Sequence, residues 1–374
     1  MKKIKVMSIF GTRPDAVKMA PLVKEINRRK EFEGIICVSG QHREMLDQVL
    51  DIFGITPDID LGLMKPGQEL GQFAAAALTA IEAAIKKENP DIVLVHGDTT
   101  TCFIGALAAF YAKIPVGHVE AGLRTGNMYS PFPEEENRVL TAHIASLHFA
   151  PTENNIRNLM REGISANIYQ TGNTVIDALK SLVRDDFVFR TKILTEACAR
   201  GTRKILLTAH RRENFGAGFE NIFGAVLRLA ENYGDVEIIY PVHMNPAVAD
   251  IARKTLGAHE RIHLTGSLDV DELHNLISRC YMVLTDSGGL QEEAPSLGVP
   301  VLVLRSETER PEAVEAGTVK IAGVDGDVIY KEAAKLLDDA AAHNAMAKAV
   351  NPYGDGRASE RICNCIVEFF KGKR

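Results

Sequence analysis

The feature that most constrains this chain is an alternation. Short apolar runs at residues 5–10, 34–39, 92–96, 116–120, 204–208, 237–241, 262–264, 282–285, 301–304 and 319–321 are separated by longer stretches of helical period, such as 101–112 and 134–144. A short apolar run bounded by turn residues reads as a strand, and strands alternating with helices build α/β units around parallel sheets. The alternation pauses near residues 171–203, where an amphipathic stretch gives way to Arg184-Asp185-Asp186. At 374 residues the chain exceeds the usual size of one hydrophobic core. Two domains are therefore expected, residues 1–175 and 176–357. Residues 358–374 are expected to return as a helix, with Ile362, Ile366 and Phe369 or Phe370 packing on the first domain.

Composition excludes several classes. Apolar residues make up 46% and charged residues 25%, an ordinary globular balance, and the net charge of −6 arises from many residues of both signs. The sequence holds no basic block of the kind that binds nucleic acid, and Lys371-Gly372-Lys373-Arg374 reads as a solvated tail. No apolar stretch reaches the length of a membrane span. The apolar start is too short for a secretory leader and runs into Gly11-Thr12-Arg13-Pro14, so a cytoplasmic protein is expected. Six cysteines (Cys37, Cys102, Cys198, Cys280, Cys363, Cys365) lack the doublet spacing of a metal site and read as packed, reduced thiols.

In a parallel sheet, ligands collect beyond the carboxyl ends of the strands. Asp98 follows one strand and Glu120 ends the next; neighbouring strands would hold them roughly 5 Å apart. Two carboxyls that close push their pKa values apart and divide acid and base roles. Asp98 also suits a helix N-cap. Glu134, after Ser130-Pro131-Phe132-Pro133, suits the acidic first turn of a helix with Pro133 at its first position. His210 with Arg211 and Arg212 beyond a strand end suits a polyanion such as a diphosphate, or a solvated loop. Asp286-Ser287-Gly288-Gly289 opens a helix after another strand, where glycines let backbone amides approach a phosphate. Glu293, six residues after Ser287, reaches toward a ribose hydroxyl pair. The first strand leads into Gly11-Thr12-Arg13-Pro14-Asp15 and carries no dinucleotide fingerprint, and Gly216-Ala217-Gly218 reads as a mobile loop.

Taken in order, 10–22, His96-Gly97-Asp98-Thr99-Thr100, 117–124, 131–138, 208–213 and 285–295 resemble the motifs of non-hydrolysing UDP-N-acetylglucosamine 2-epimerases along nearly the whole chain. The resemblance implies an α/β chain of two Rossmann-like domains with parallel sheets facing across a cleft (GT-B type), the second holding UDP. It implies interconversion of UDP-GlcNAc and UDP-ManNAc for polysaccharide or glycan synthesis, no cofactor or metal, and a homodimer. It makes Asp98, Glu120, Glu134 and His210 the catalytic set. Arg13 and Lys18 would line the site, Ser287, Gly288 and Gly289 hold the diphosphate, Glu293 the ribose, and Arg310 the region of the sugar and phosphates. The stretch Leu268 to Leu273 would border the uracil. Gln41 and His42 match a second, allosteric UDP-GlcNAc site, where Glu44 and Gly67 replace the relatives' Gln and Arg.

The chemistry such a chain must perform is constrained. The hydrogen on carbon 2 of the sugar has no adjacent carbonyl, so its direct removal is difficult. Departure of the anomeric UDP creates oxocarbenium character and makes that hydrogen acidic. Cations and amides stabilise the leaving diphosphate. Three other readings share these residues: a hydrolysing epimerase, a glycosyltransferase, and a non-catalytic sugar-nucleotide sensor.

Overall fold

A computed structural model describes residues 2–40, 43–65, 67–211, 214–243 and 245–372. The first sheet contains β1 (Ile4–Phe10), β2 (Phe32–Val38), β3 (Ile59–Asp60), β4 (Ile92–His96), β5 (Val116–Val119), β6 (Leu147–Ala150) and β7 (Ile168–Gln170). Their order is β3-β2-β1-β4-β5-β6-β7, every neighbour parallel. The second contains β8 (Arg203–Thr208), β9 (Val236–Pro241), β10 (Ile262–Thr265), β11 (Met282–Thr285), β12 (Val301–Val303) and β13 (Val319–Ile321), ordered β10-β9-β8-β11-β12-β13 and again parallel. The central strands are mostly apolar because strands of a parallel sheet are covered on both faces. In β4 every residue is buried.

Both sheets have the strand order of doubly wound folds, in which the chain starts in the middle, winds to one edge, and then crosses to the other. The reversal falls between β1 and β4 in the first sheet and between β8 and β11 in the second. Crossovers leave the sheet in opposite directions there, so the strand ends diverge and open a crevice. Residues just past β1, β4, β8 and β11 are placed at these crevices by topology alone.

The chain divides into one unit of Met1–Ser181 with Tyr353–Arg374 and a second of Leu182–Pro352. The helix Thr174–Leu182 runs through the expected border at residue 175. It stays with the first unit through Ser181 because Asp177 accepts hydrogen bonds from the amides of Ala358 (3.1 Å) and Ser359 (2.8 Å), the start of the helix Ala358–Lys371. That last helix lies against the helix Arg13–Arg28, where Arg29 Nη1 donates to Asn364 Oδ1 at 2.6 Å. In the second unit Phe219, Phe223 and Tyr240 form a buried aromatic run, and the Tyr240 hydroxyl donates to the Ala209 carbonyl at 2.7 Å. That bond anchors the backbone just before His210.

Several expectations are corrected. Strands β3, β6 and β7 were not expected. Val119, not Glu120, ends β5. Pro133 is the N-cap of the helix Glu134–Ile144, so Glu134 is its first residue. Gly216, at φ +80°, is the N-cap of the helix Ala217–Asn232, so that segment opens a helix where a loop was expected. Among the described residues no helix is long and apolar enough to cross a membrane.

Candidate functional site

At the reversal of the first sheet, the turn after β1 is held by a capping box. The Thr12 hydroxyl accepts from the Asp15 amide and the Asp15 carboxylate accepts from the Thr12 amide, each at 3.4 Å. Gly11 has no room for a side chain: a Cβ there would lie 2.0 Å from Ser39 Oγ and 2.6 Å from Thr101 Oγ1. Arg13 is the first residue of the following helix and Lys18 lies one turn further, both half-buried.

Lys18 reaches Glu120, and their ammonium and carboxylate form an ion pair; Asn173 Nδ2 donates to the same carboxylate oxygen at 2.8 Å. Glu120 is buried and adopts φ +63°, a left-handed conformation that non-glycine side chains rarely take. Strain of this kind persists where the surroundings dictate it, most often at functional sites. The turn re-aims the carboxylate off the end of β5 toward Lys18. His96 is buried between two carboxylates, with Nδ1 3.8 Å from Asp15 Oδ1 and Nε2 3.8 Å from Glu120 Oε2.

Asp98 is not the helix cap. Thr99 caps the helix Thr100–Tyr111, its hydroxyl accepting from the Cys102 amide at 3.2 Å. Released from capping, the Asp98 carboxylate pairs with Arg138, whose guanidinium also lies 3.3 Å from Glu135. Asn137 Nδ2 donates to the Asp98 carbonyl at 2.9 Å. Burial raises the Asp98 carboxyl above its usual range; Arg138 and Lys18 oppose the rise, while Glu120 and Asp15 add to it. Glu134 opens the helix that carries Asn137 and Arg138, and its side chain makes no hydrogen bond or ion pair among the described residues. The sequence-predicted residues Lys18, Asp98 and Glu120 thus form one electrostatic cluster, with Glu134 a turn of helix from the residues that grip Asp98.

The second sheet's reversal has a different composition. Thr208 and Thr285, paired across β8 and β11, join their hydroxyls at 2.5 Å, and Thr285 Oγ1 also accepts from the Ser287 amide at 2.9 Å. Beyond them Asp286 is fully buried. Its Oδ2 accepts from the amides of His210 (2.8 Å) and Arg211 (2.9 Å) and from Asn214 Nδ2 (3.1 Å). His210 stacks on His243 with ring centroids 5.7 Å apart. Burial lowers the His210 pKa below its ordinary value; Asp286 opposes this, and His243 and Arg211 reinforce it.

The Gly288 loop lies against Glu309, which is gripped by Arg211 (3.1 Å) and Arg305 (2.5 Å). Burial alone would raise the Glu309 carboxyl, but Arg305 and Arg211 bring it down to about 2. Arg310 pairs with the buried carboxylate of Glu292, which holds its guanidinium in place. His274 Nε2 lies 3.2 Å from Glu293 Oε2, on the helix Val270–Ile277 that carries Leu273 and follows Leu268. Ser287, Gly288, Gly289, Glu293 and Arg310 therefore lie on one polar edge with His210. The helix opened by the glycines, Leu290–Glu293, is only four residues long and runs on into the 3-10 turn Ala294–Leu297. Gln41 and His42 lie outside the described residues; Gly67 adopts φ +71°.

The carboxyls at the first reversal suit proton transfer, and the guanidinium groups and glycine loop at the second suit an anion. Comparison with known proteins is specific. The sequence model of the UDP-N-acetylglucosamine 2-epimerase family matches residues 24–367. The chain belongs to the UDP-N-acetylglucosamine 2-epimerase family. The enzyme of that name from Bacillus subtilis is 54% identical over 363 residues, spanning 97% of this chain and 94% of that one. UDP-GlcNAc 2-epimerase from Neisseria meningitidis, solved bound to UDP-GlcNAc, matches at a TM-score of 0.87 and 45% identity over 98% of this chain and 100% of its own. The S. aureus MnaA–UDP structure matches at 0.89 and 49%, over 98% and 97% of the two chains. The two parallel sheets are those of the GT-B-like fold of these epimerases.

Sequence reasoning about this epimerase-family chain missed Arg138, Asn173, His96 and Asp286. Arg138 and His96 stand inside quoted motifs, yet which carboxylate each would face depends on strand order. Asn173 lies 53 residues from Glu120 and had no local signal.

Proposed function

We propose that this protein interconverts UDP-GlcNAc and UDP-ManNAc by the non-hydrolysing route. The observation that carries the reading is the pair at the first reversal: Asp98, held toward its protonated form, beside Glu120, ion-paired to Lys18. Two carboxyls in contrasting surroundings suit the two proton transfers of an epimerisation, one on each face of carbon 2. One group takes the carbon 2 proton; the C–H electron pair becomes the C1–C2 double bond, and the C1–O bond breaks to release UDP. A proton returns to the opposite face from a second group, and UDP re-adds at carbon 1. Asp98, Glu120, Glu134 and His210 are the catalytic set. Ser287, Gly288, Gly289 and Arg310 hold the diphosphate, and Arg13 lines the crevice of the first unit with Lys18. Glu293 takes the ribose hydroxyls, and Leu268 and Leu273 border the base. The neighbours solved with UDP and UDP-GlcNAc support this ligand class.

Proton NMR of UDP-GlcNAc with the purified protein in deuterated water tests the reading. UDP-ManNAc carrying deuterium at carbon 2 is expected. Free ManNAc with UDP would make the protein a hydrolysing epimerase, and unlabelled UDP-ManNAc would remove the elimination route.

A further inference from the structure

The carboxylate of Asp286 is unevenly satisfied. Oδ2 accepts three hydrogen bonds, from the amides of His210 and Arg211 and from Asn214 Nδ2, whereas Oδ1 is buried and has no hydrogen-bond partner among the described residues. An acceptor left unmade in a fully buried carboxylate is costly, and more so when the group is charged. A ring nitrogen stands beside it: His210 Nδ1, 3.3 Å from Oδ1. A small rotation of the imidazole closes that gap. The strand pairing of Thr285 with Thr208 brings the two residues together, so the arrangement follows from the reversal itself.

We infer that Asp286 is the positioning residue of His210: its buried carboxylate fixes the imidazole with Nδ1 donating to Oδ1, and leaves Nε2 as the atom presented to substrate. The ring is clamped on its other sides as well. His243 stacks on it at an interplanar angle of 14°, and the His243 Nδ1 accepts from the Asn245 amide at 3.1 Å, which fixes that ring too. Arg211, the other charged neighbour, is turned onto Glu309. His210 is 41% exposed, and its Nδ1 lies against the fully buried Asp286. A histidine oriented by a buried carboxylate keeps one tautomer throughout a reaction, and removal of such a partner leaves the residue in place but pointing the wrong atom.

This assignment depends on the epimerase reading only for the kinetic consequence; the tautomer stands apart from it. Nitrogen-15 NMR of the His210 ring in the intact wild-type protein, at a pH where the ring is neutral, is expected to show Nδ1 protonated and Nε2 bare. In Asp286→Asn the side-chain oxygen can keep the amide donors while its NH2 faces Nδ1, so the tautomer should reverse. kcat for UDP-GlcNAc should fall about 100-fold with Kd for UDP within about threefold. In a His210→Gln background the same substitution should cost less than about threefold further, because the group it orients is gone. A wild-type ring protonated at Nε2 overturns the inference without any variant having to fold, and so does an equal loss in both backgrounds. A wild-type protein with the expected tautomer that leaves UDP-GlcNAc unchanged overturns the proposed function and spares the dyad.

Discussion

The two units repeat one strand order and differ in what they place at its reversal. In the first, the residues past β4 and β5 are carboxyls, held by Lys18 from the helix after β1, by Arg138 and by Asn173. In the second, those past β8 and β11 are a histidine, arginines and a glycine loop built around Asp286. The scaffold supplies the same crevice twice, and on the proposed reading the strand-end residues decide whether it moves protons or holds an anion. Fold alone does not imply function; the sites grafted on it do.

The largest expected effect breaks or confirms that division. Asp98→Asn should lower kcat about a thousandfold, the range of a lost general acid or base, with KM for UDP-GlcNAc changed less than about threefold. Steady-state formation of UDP-ManNAc measures both. A variant with normal kcat and raised KM would place Asp98 among the binding groups and erase the contrast. In the second unit Glu293→Gln should do the reverse. Calorimetric titration should show UDP binding weakened about tenfold, the value of one hydrogen bond to a charged group, with smaller loss in kcat.

Glycine at the two reversals sharpens the comparison. Gly11→Ala should destabilise the first unit by about 1–3 kcal/mol, because the new methyl meets Ser39 and Thr101 in a packed turn. Gly288→Ala meets Glu309 Oε1 at 3.2 Å and Arg211 Nη2 at 4.0 Å, the far ends of side chains that can give way. Its melting temperature should match the wild type while UDP binding weakens. Equal thermal losses in the two variants would mean that both glycines serve the fold.

Much of this was legible in the sequence. Ten of the thirteen described strands announce themselves as apolar runs, including β1, β4, β8 and β11 at the reversals. The missed strands are short or polar. β3 has two residues; β6 buries His148, whose Nε2 bonds the Ala142 carbonyl; β7 is half exposed at a sheet edge. Asp98 and Glu120 could be placed at one edge because each directly follows a strand. Their partners could not. Whether Arg138 grips Asp98 or Asn173 meets Glu120 depends on helix placement and strand order, which periodicity does not encode. The left-handed turn at Glu120 was equally hidden, since nothing in Val119-Glu120-Ala121 calls for positive φ.

Titration provides the finest test, because the two reversals shift carboxyls in opposite directions. Asp98 is raised in the folded state, so folding binds its proton more tightly than the unfolded chain does. The stability this contributes is fully present below the ordinary carboxyl range and is lost as pH rises through the folded value. Glu309 is lowered to about 2, so its contribution is present above the ordinary range and is lost as pH falls toward that value. Neither Asn nor Gln titrates. The melting temperature of Asp98→Asn, taken relative to wild type, should therefore rise as pH increases from about 3 to about 7, whereas that of Glu309→Gln should fall over the same interval. Subtracting the wild-type curve removes the titration common to all three proteins. Slopes of the same sign would mean that the two edges handle charge alike, and the contrast between a proton-moving crevice and an anion-holding one would lose its electrostatic basis.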